Sequence, residues 1–296
     1  MIIDMRCRVP TLSTAKYFHE IMGNIGRLDA VPALKQGSLD VLLKEMDEVG
    51  ITTAVSVSGN NPGAQIGKRE QPARTTSNDE MAALQNQYLG KIIGVAGIDV
   101  GNTFHNALEE IERCSSLGLK AIFIEPGRSP GCLLNDKFLY PIYQKCVDLD
   151  LAVIPQTSGL LGGKNFDYAN PKYIEDVAED FPELRIICGH GCYPFVREMI
   201  MVCQRRDNVW ASPDVYVLNG LGTMDWVEAV NRDMYGFTDR FIFGSAYPFM
   251  SLKDSVQGYL QLPWNQDVLP KILYKNALQA LKLEDDPVFK SIYSDT

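Results

Sequence analysis

Short β-rich runs alternate with amphipathic helical runs along the whole chain, and this alternation is the feature that most constrains the fold. The candidate strands are, in chain order, MIIDMRC, TTAVSVS, KIIGVAGI, LKAIFIE, LAVIPQ, LRIICGH, VWASPD and RFIFGSA. A helical run after nearly every strand is typical of a parallel sheet covered by helices. Eight such units are the number that closes a (β/α)8 TIM barrel, with an open doubly wound sheet as the alternative.

The run SLDVLLKEMDEVG shows how the helices can be read. Ser38 can cap the first turn, Leu42 and Met46 lie on one apolar face, and Gly50 provides a stop. Two segments rich in Gly, Pro and Asn follow strand ends, at residues 11–37 and 60–79. We expect both to be long loops lying over the carboxyl end of the barrel.

Length and charge narrow the classes of protein that remain. With 296 residues the chain is long enough for one barrel, so we expect a single domain over residues 1–296. The net charge of -9 opposes binding to nucleic acid. The sequence shows neither a signal-peptide core nor a stretch long enough to cross a membrane, and its seven cysteines form no CxxC framework. These features favour a cytoplasmic protein with reduced thiols.

Four stretches resemble, in the same order, a known enzyme family. They are IIDMRCR at the first strand, FPELRIICGHG at the sixth, RFIFGSAYPF at the eighth and LPKILYKNALQALKL near the end. In these stretches the chain is similar to the amidohydrolase-related family that includes aminocarboxymuconate-semialdehyde decarboxylase and related aromatic-acid decarboxylases. The resemblance implies a TIM barrel, and an activity of the hydrolase or carbon–carbon lyase (decarboxylase) type.

The chain departs from that family at the residues that bind a divalent metal. The family carries histidines at two positions of the first strand, where this chain has Arg6 and Arg8, and an aspartate in the eighth, where it has Ala246. The fifth-strand histidine aligns with Gln156, and only His190 of the sixth strand is retained. Arginine has no lone pair to donate and repels a cation. We therefore expect no metal of the family type and no other cofactor.

Arg6 and Arg8 share one face of the first strand, because side chains alternate along a strand, and Cys7 points away. Two interpretations of the arginines remain open. They can pair with structural acids such as Glu125 or Asp214, or they can hold the carboxylate or phosphate of a small substrate.

Further candidates lie at the other strand ends. His190 is the first candidate for proton transfer near neutral pH, with a satisfied core histidine as the alternative. Glu125 and Asp214 are catalytic candidates, or else partners of the arginines. The remaining candidates are expected to bind substrate through charge or hydrogen bonds: Arg128, Gln156, Ser245 and Tyr247.

These residues lead to three hypotheses. The first is an enzyme that acts without a metal on a small carboxylated molecule, either by hydrolysing a lactone or ester or by decarboxylation. The second is a non-catalytic relative that binds an anion or a partner protein. The third is a rearranged metal site built from Glu125, His190, Asp214 and Cys192. By analogy with the family, a homodimer is also expected.

Overall fold

The structure is a computed structural model, and it describes residues 1–10, 13 and 15–293. The described residues form ten strands. They are β1 (Ile3–Cys7), β2 (Thr53–Ser56), β3 (Ala64–Ile66), β4 (Arg69–Gln71), β5 (Ile92–Gly94), β6 (Ala96–Ile98), β7 (Ala121–Ile124), β8 (Ala152–Pro155), β9 (Ile186–Gly189) and β10 (Val209–Ser212). All except the small antiparallel β3–β4 hairpin pair in parallel, in the orders β1-β2-β5 and β10-β9-β8-β7-β6.

The two parallel sheets form one closed barrel. β5 and β6 are the two halves of a single strand, which is interrupted only at Val95. The eighth strand of the barrel is irregular, but its backbone joins both neighbours: Ile242 N donates to Ala211 O over 2.9 Å, and Met5 N donates to Phe243 O over 3.1 Å. The predicted (β/α)8 TIM barrel is therefore confirmed, with all eight strands in the predicted runs.

Helices follow the strands, as the sequence predicted. They are α1 (Ala15–Asn24), α2 (Pro32–Gln36), α3 (Leu39–Val49), α4 (Asn78–Gln87), α5 (Ala107–Ser116), α6 (Tyr140–Asp148), α7 (Lys172–Asp180), α8 (Val196–Arg205), α9 (Val215–Asn219), α10 (Thr223–Asn231), α11 (Leu252–Gln261), α12 (Asn276–Leu281) and α13 (Pro287–Tyr293). The segment SLDVLLKEMDEVG contains α3. Ser38 Oγ accepts a hydrogen bond from Val41 N, and Gly50 ends the helix in the left-handed conformation, as the sequence predicted.

The two segments predicted to be loops contain regular structure, so that part of the prediction was wrong. Residues 15–36 form α1 and α2, and the segment at 60–79 contains the β3–β4 hairpin. His19, in the first of these segments, therefore lies in α1. Long-range packing holds these elements in place; for example, Phe18 of α1 belongs to the outer apolar layer. The periodicity of the sequence does not reveal such contacts.

Two apolar layers hold the barrel together. Side chains pointing inward from the strands, such as Met5, Val55 and Phe123, fill the interior. The same interior cluster includes Leu278 of α12 and Phe289 of α13, so the two last helices close the amino-terminal end of the barrel. A larger outer layer packs the strands against the surrounding helices. Among the described helices, none is both long and apolar enough to span a bilayer.

Candidate active site at the barrel mouth

Arg6 and Arg8 lie at the carboxyl end of β1, on the mouth side of the interior core. Asp4 pairs with Ala54 of β2 and Cys7 with Ser56, so β1 holds one extra residue between these pairs. This bulge lets Arg6 follow Met5 into the barrel, where its guanidinium lies 5.2 Å from the ring centre of Phe123. Cys7 instead belongs to the outer layer.

The two arginines are buried with few polar partners. Arg6 is 1% exposed, and none of its three guanidinium nitrogens has a hydrogen-bond partner among the described residues. Arg8 is 7% exposed; its Nη1 donates to Tyr247 O over 3.2 Å, and its Nε has no partner in the described part of the chain. Burial lowers the pKa of Arg8 to about 9, and the neighbouring charges of Arg6 and Arg74 add to this effect. Buried donors without acceptors are energetically costly.

His190 and Asp214 form a hydrogen-bonded pair beside Arg6. His190 Nδ1 lies 2.9 Å from Asp214 Oδ1, and the backbone N–H of His190 donates to Oδ2 over 3.2 Å. The same carboxylate also contacts Arg6, with Nε 3.4 Å from Oδ2. Both His190 and Asp214 have positive φ, at 70° and 47°, which is unusual for residues other than glycine. One carboxylate therefore links the imidazole to the guanidinium.

The protonation state of His190 follows from this environment. Burial lowers the pKa of His190 to about 4; the charge of Arg6 adds to the effect, and Asp214 opposes it. The imidazole is therefore neutral at pH 7. The tautomer that donates from Nδ1 to Asp214 leaves a lone pair on Nε2, the nitrogen that can accept a proton.

Glu125 lies at the end of β7 in a cluster of ion pairs and hydrogen bonds. Its carboxylate contacts Arg74 Nη2 on one side and lies 2.7 Å from Arg128 Nη1 on the other. Asn61 Nδ2 also donates to it over 2.6 Å. Burial alone would raise the pKa of Glu125, but the guanidiniums of Arg128 and Arg74 outweigh it and lower the pKa to about 2. This carboxylate is a poor proton acceptor, since its oxygens are already held.

The remaining predicted binding residues divide into two groups. Gln156 is buried, with no partner for Oε1 among the described residues, and Ser212 Oγ at the end of β10 is also unpartnered there. Ser245 instead donates from Oγ to Asp4 Oδ2 over 2.5 Å. The hydroxyl of Tyr247 accepts a hydrogen bond from Leu34 N of α2, and its ring belongs to the outer layer. Ser245 and Tyr247 therefore hold the barrel together and do not line the mouth as expected.

The donor set does not fit a divalent cation. Buried guanidiniums occupy the first-strand positions, and His190 and Asp214, which could ligate a metal, bind each other. The rearranged set is not assembled either, because Glu125 is held by arginines and Cys192 lies in the outer layer. Across the ranges that the structure describes, no group of three or more His, Cys, Asp or Glu side chains could hold a metal ion.

Sequence reasoning missed four residues of the site. Arg74 and Asn61 come from the segment predicted to be a loop, and their contacts to Glu125 are long-range. Gly59 and Gly189 are needed for space: a Cβ at Gly189 would collide with the guanidinium of Arg6, and one at Gly59 with the carboxylate of Glu125. Gly59 follows one predicted strand, and Gly189 lies near the end of another. Their place at strand ends was the signal that could have pointed to them.

Aromatic side chains cover the mouth. Phe18 of α1 lies over Arg8, with 4.8 Å between the guanidinium carbon and the ring centre, and Phe249 lies at 5.8 Å. Tyr17 ties α1 to the β3–β4 hairpin through a 2.9 Å hydrogen bond to Gln71. His190 is only 6% exposed.

Comparison with solved structures shows the same fold in proteins of several activities. An uncharacterised TIM-barrel protein from Bordetella bronchiseptica is 30% identical, with 95% of this chain and 98% of that chain covered and a TM-score of 0.80. A dihydroxybenzoic acid decarboxylase from Polaromonas sp. JS666, with bound manganese and the inhibitor 2-nitroresorcinol, is 15% identical (97% and 98% covered, TM-score 0.72). The 4-oxalomesaconate hydratase from Rhodopseudomonas palustris is 19% identical (99% and 99% covered, TM-score 0.65).

A search of curated proteins gave no match. The family model described as amidohydrolase matches residues 3–283, which includes every strand of the barrel. Membership of this family is consistent with the hydrolase or lyase activity expected from the sequence. The chain belongs to the amidohydrolase family.

Proposed function

We propose that the protein is an enzyme that acts on a small carboxylated molecule without a metal ion. In this proposal Arg6 and Arg8 bind the substrate as an anion, and His190 transfers the proton. The observation that carries the proposal is the Arg6–Asp214–His190 arrangement. In it one buried carboxylate contacts both a neutral imidazole and a guanidinium whose nitrogens have no hydrogen-bond partner among the described residues.

The arrangement favours hydrolysis of a lactone or ester over decarboxylation. Neutral His190 can take a proton from water at Nε2 while the water oxygen bonds to the acyl carbon, and Asp214 stabilises the resulting imidazolium. The N–H groups of Arg6 can bind the oxyanion that forms. The carbon–oxygen bond then breaks, and the leaving oxygen takes the proton back from His190. Decarboxylation instead needs a proton donor, and a group with a pKa of about 4 is mostly deprotonated at pH 7.

Gln156 and Ser212 complete the proposed site. Both carry a buried oxygen without a partner among the described residues, close to strand ends on either side of β9. They can orient the substrate or the attacking water by hydrogen bonds. Glu125 takes a supporting place in this proposal, since it holds Arg74 and Arg128 at the opposite side of the mouth.

The test is a turnover screen of lactones and esters that carry a carboxylate, followed by His190→Gln on any active compound. We expect the variant to lose about 10²- to 10⁴-fold in kcat, because a general base contributes that much. His19→Gln is the matched control, because His19 is exposed on α1. An unchanged kcat in His190→Gln would refute the assignment of His190.

The same screen tests the non-catalytic alternative. If carboxylated compounds raise the melting temperature but none is turned over, the protein is a binding relative of the family. Binding that persists in His190→Gln would then be expected, since the guanidiniums alone hold the anion.

A further inference from the structure

The mouth carries more positive charge than its own carboxylates offset. Four buried guanidiniums lie there, from Arg6, Arg8, Arg74 and Arg128, and they are in ion-pair contact with two carboxylates, those of Glu125 and Asp214. Glu125 is shared by two arginines, and in the described part of the chain Arg8 has no carboxylate in ion-pair contact. Two positive charges are thus left over, in a protein whose net charge is -9.

Neighbouring groups do not remove this excess. His190 is neutral because burial lowers its pKa to about 4. Asp4 lies below the arginines, but its oxygens accept hydrogen bonds from Ser245 and from the backbone N–H of Arg6. Asp4 is in ion-pair contact with none of the four arginines among the described residues. Unpaired cations in such a buried site are costly unless a ligand supplies the opposite charges.

The two least satisfied guanidiniums lie at two depths. Arg6 packs on Phe123, an interior residue, and shares Asp214 with His190. Arg8 packs on Phe18 and Phe249 of the cover. Residues two apart on a strand are separated by roughly 6 to 7 Å, more than the width of one carboxylate or phosphate group.

We infer that the site takes a dianion with two separated carboxylates, one bound at Arg6 beside His190 and the other at Arg8 under the aromatic cover. This inference rests on the proposed function for the identity of the site, and it adds the charge and shape of the substrate. The acyl group of the substrate, which hydrolysis converts into the inner carboxylate, lies next to the reacting groups, and the outer carboxylate anchors the molecule.

The test measures binding by calorimetry with pairs of probes that differ in one carboxylate: succinate against butyrate, and isophthalate against benzoate. A second charge-assisted contact predicts that each dicarboxylate binds about tenfold tighter or more than its monocarboxylate partner. Phenyl phosphate tests whether a compact dianion serves as well. Equal affinities within both pairs, no binding of any probe, or tighter binding of phenyl phosphate than of isophthalate would each overturn the inference.

Variants assign the two ends. Arg8→Gln should remove the preference for dicarboxylates while benzoate and butyrate still bind, and Arg8→Lys should keep part of the preference because the charge remains. Arg6→Gln should weaken both members of each pair. Arg197→Gln is the control, since Arg197 lies on the surface in contact with Asp225. Melting temperatures without ligand show whether each variant is folded, and a preference lost equally in all variants would contradict the assignment.

Binding and turnover separate this inference from the proposed function. A clear preference for dicarboxylates without turnover of any dicarboxylic lactone or ester would refute the enzymatic proposal and leave the ligand class standing. Turnover that depends on His190, together with equal affinity for the members of each probe pair, would support the enzymatic proposal and refute the inference of a dicarboxylate ligand.

Discussion

The two sides of the barrel mouth are built from the same residue types, yet they differ in how far their charges are satisfied. On one side Glu125 is held by Arg74, Arg128 and Asn61. On the other, Arg6 and Arg8 have buried nitrogens without partners among the described residues. The difference is one of charge pairing: on the Glu125 side one carboxylate contacts two guanidiniums, whereas on the Arg6–Arg8 side only Arg6 has a carboxylate in ion-pair contact among the described residues. We therefore expect the Glu125 side to support the fold and the Arg6–Arg8 side to contribute less to stability.

The largest effect is expected when the central carboxylate of the Glu125 side is removed. Glu125→Gln leaves Arg74 and Arg128 buried without their counter-charge, and we expect it to lower the free energy of unfolding by about 3 to 5 kcal/mol. Urea denaturation at pH 7 measures the change.

The chain provides a matched control for that variant. Glu175 also lies between two arginines, Arg205 and Arg206, but this group is partly exposed to solvent. Glu175→Gln should cost less than Glu125→Gln, about 1 kcal/mol, since solvent screens ion pairs that are not buried. Similar losses in the two variants would show that burial of the Glu125 cluster does not matter.

The second prediction concerns pH, because the two sides titrate in different windows. The pKa of His190 is lowered by burial from 6.5 to about 4, so the unfolded chain binds the proton first and stability falls as pH drops from 6.5 through 4. The pKa of Glu125, which burial raises but Arg128 and Arg74 lower more strongly, falls from 4.5 to about 2, so stability also falls as pH drops from 4.5 through 2. Each shift corresponds to about 3 kcal/mol.

The measurement for this prediction is the free energy of unfolding in urea at a series of pH values. His190→Gln should flatten the upper part of the profile, between pH 6.5 and 4, and leave the slope at lower pH in place. A profile of His190→Gln that keeps the slope of the parent protein in that range would contradict the low pKa of His190.

The smallest expected change in stability lies on the Arg6–Arg8 side. Arg8→Met removes a buried cation that has no carboxylate partner within the described residues, so the free energy of unfolding should stay the same or rise by about 1 kcal/mol. Thermal melting without ligand measures it, with Arg197→Met as the surface control. A loss of more than about 2 kcal/mol would mean that Arg8 is satisfied in the folded protein and that the two sides do not differ.

The residues at the strand ends could be predicted from the sequence, whereas the side chains that contact them could not. The alternation of side chains placed Arg6 and Arg8 together and Cys7 in the outer layer, because the pleat of a strand is a local property. The pairing of Glu125 with Arg74 depends instead on how a long segment folds back over the mouth. No local pattern encodes that contact.

Two other differences have similar causes. Tyr247 was expected at the mouth from its place after the eighth strand, but its hydroxyl binds Leu34 of α2, an element that sequence reasoning took for a loop. The bulge in β1 also has no signal of its own, since the residues around it are ordinary strand formers apart from the charges.

The closure of the barrel by α12 and α13 has a consequence for protein engineering. Leu278 and Phe289 belong to the interior cluster, and Tyr293 donates a hydrogen bond to Thr53 at the start of β2. The arginines and His190 lie at the opposite end of the same cylinder. Truncations or fusions close to residue 293 therefore disturb the scaffold, and loop grafts at the mouth change recognition. The two can be optimised as separate modules.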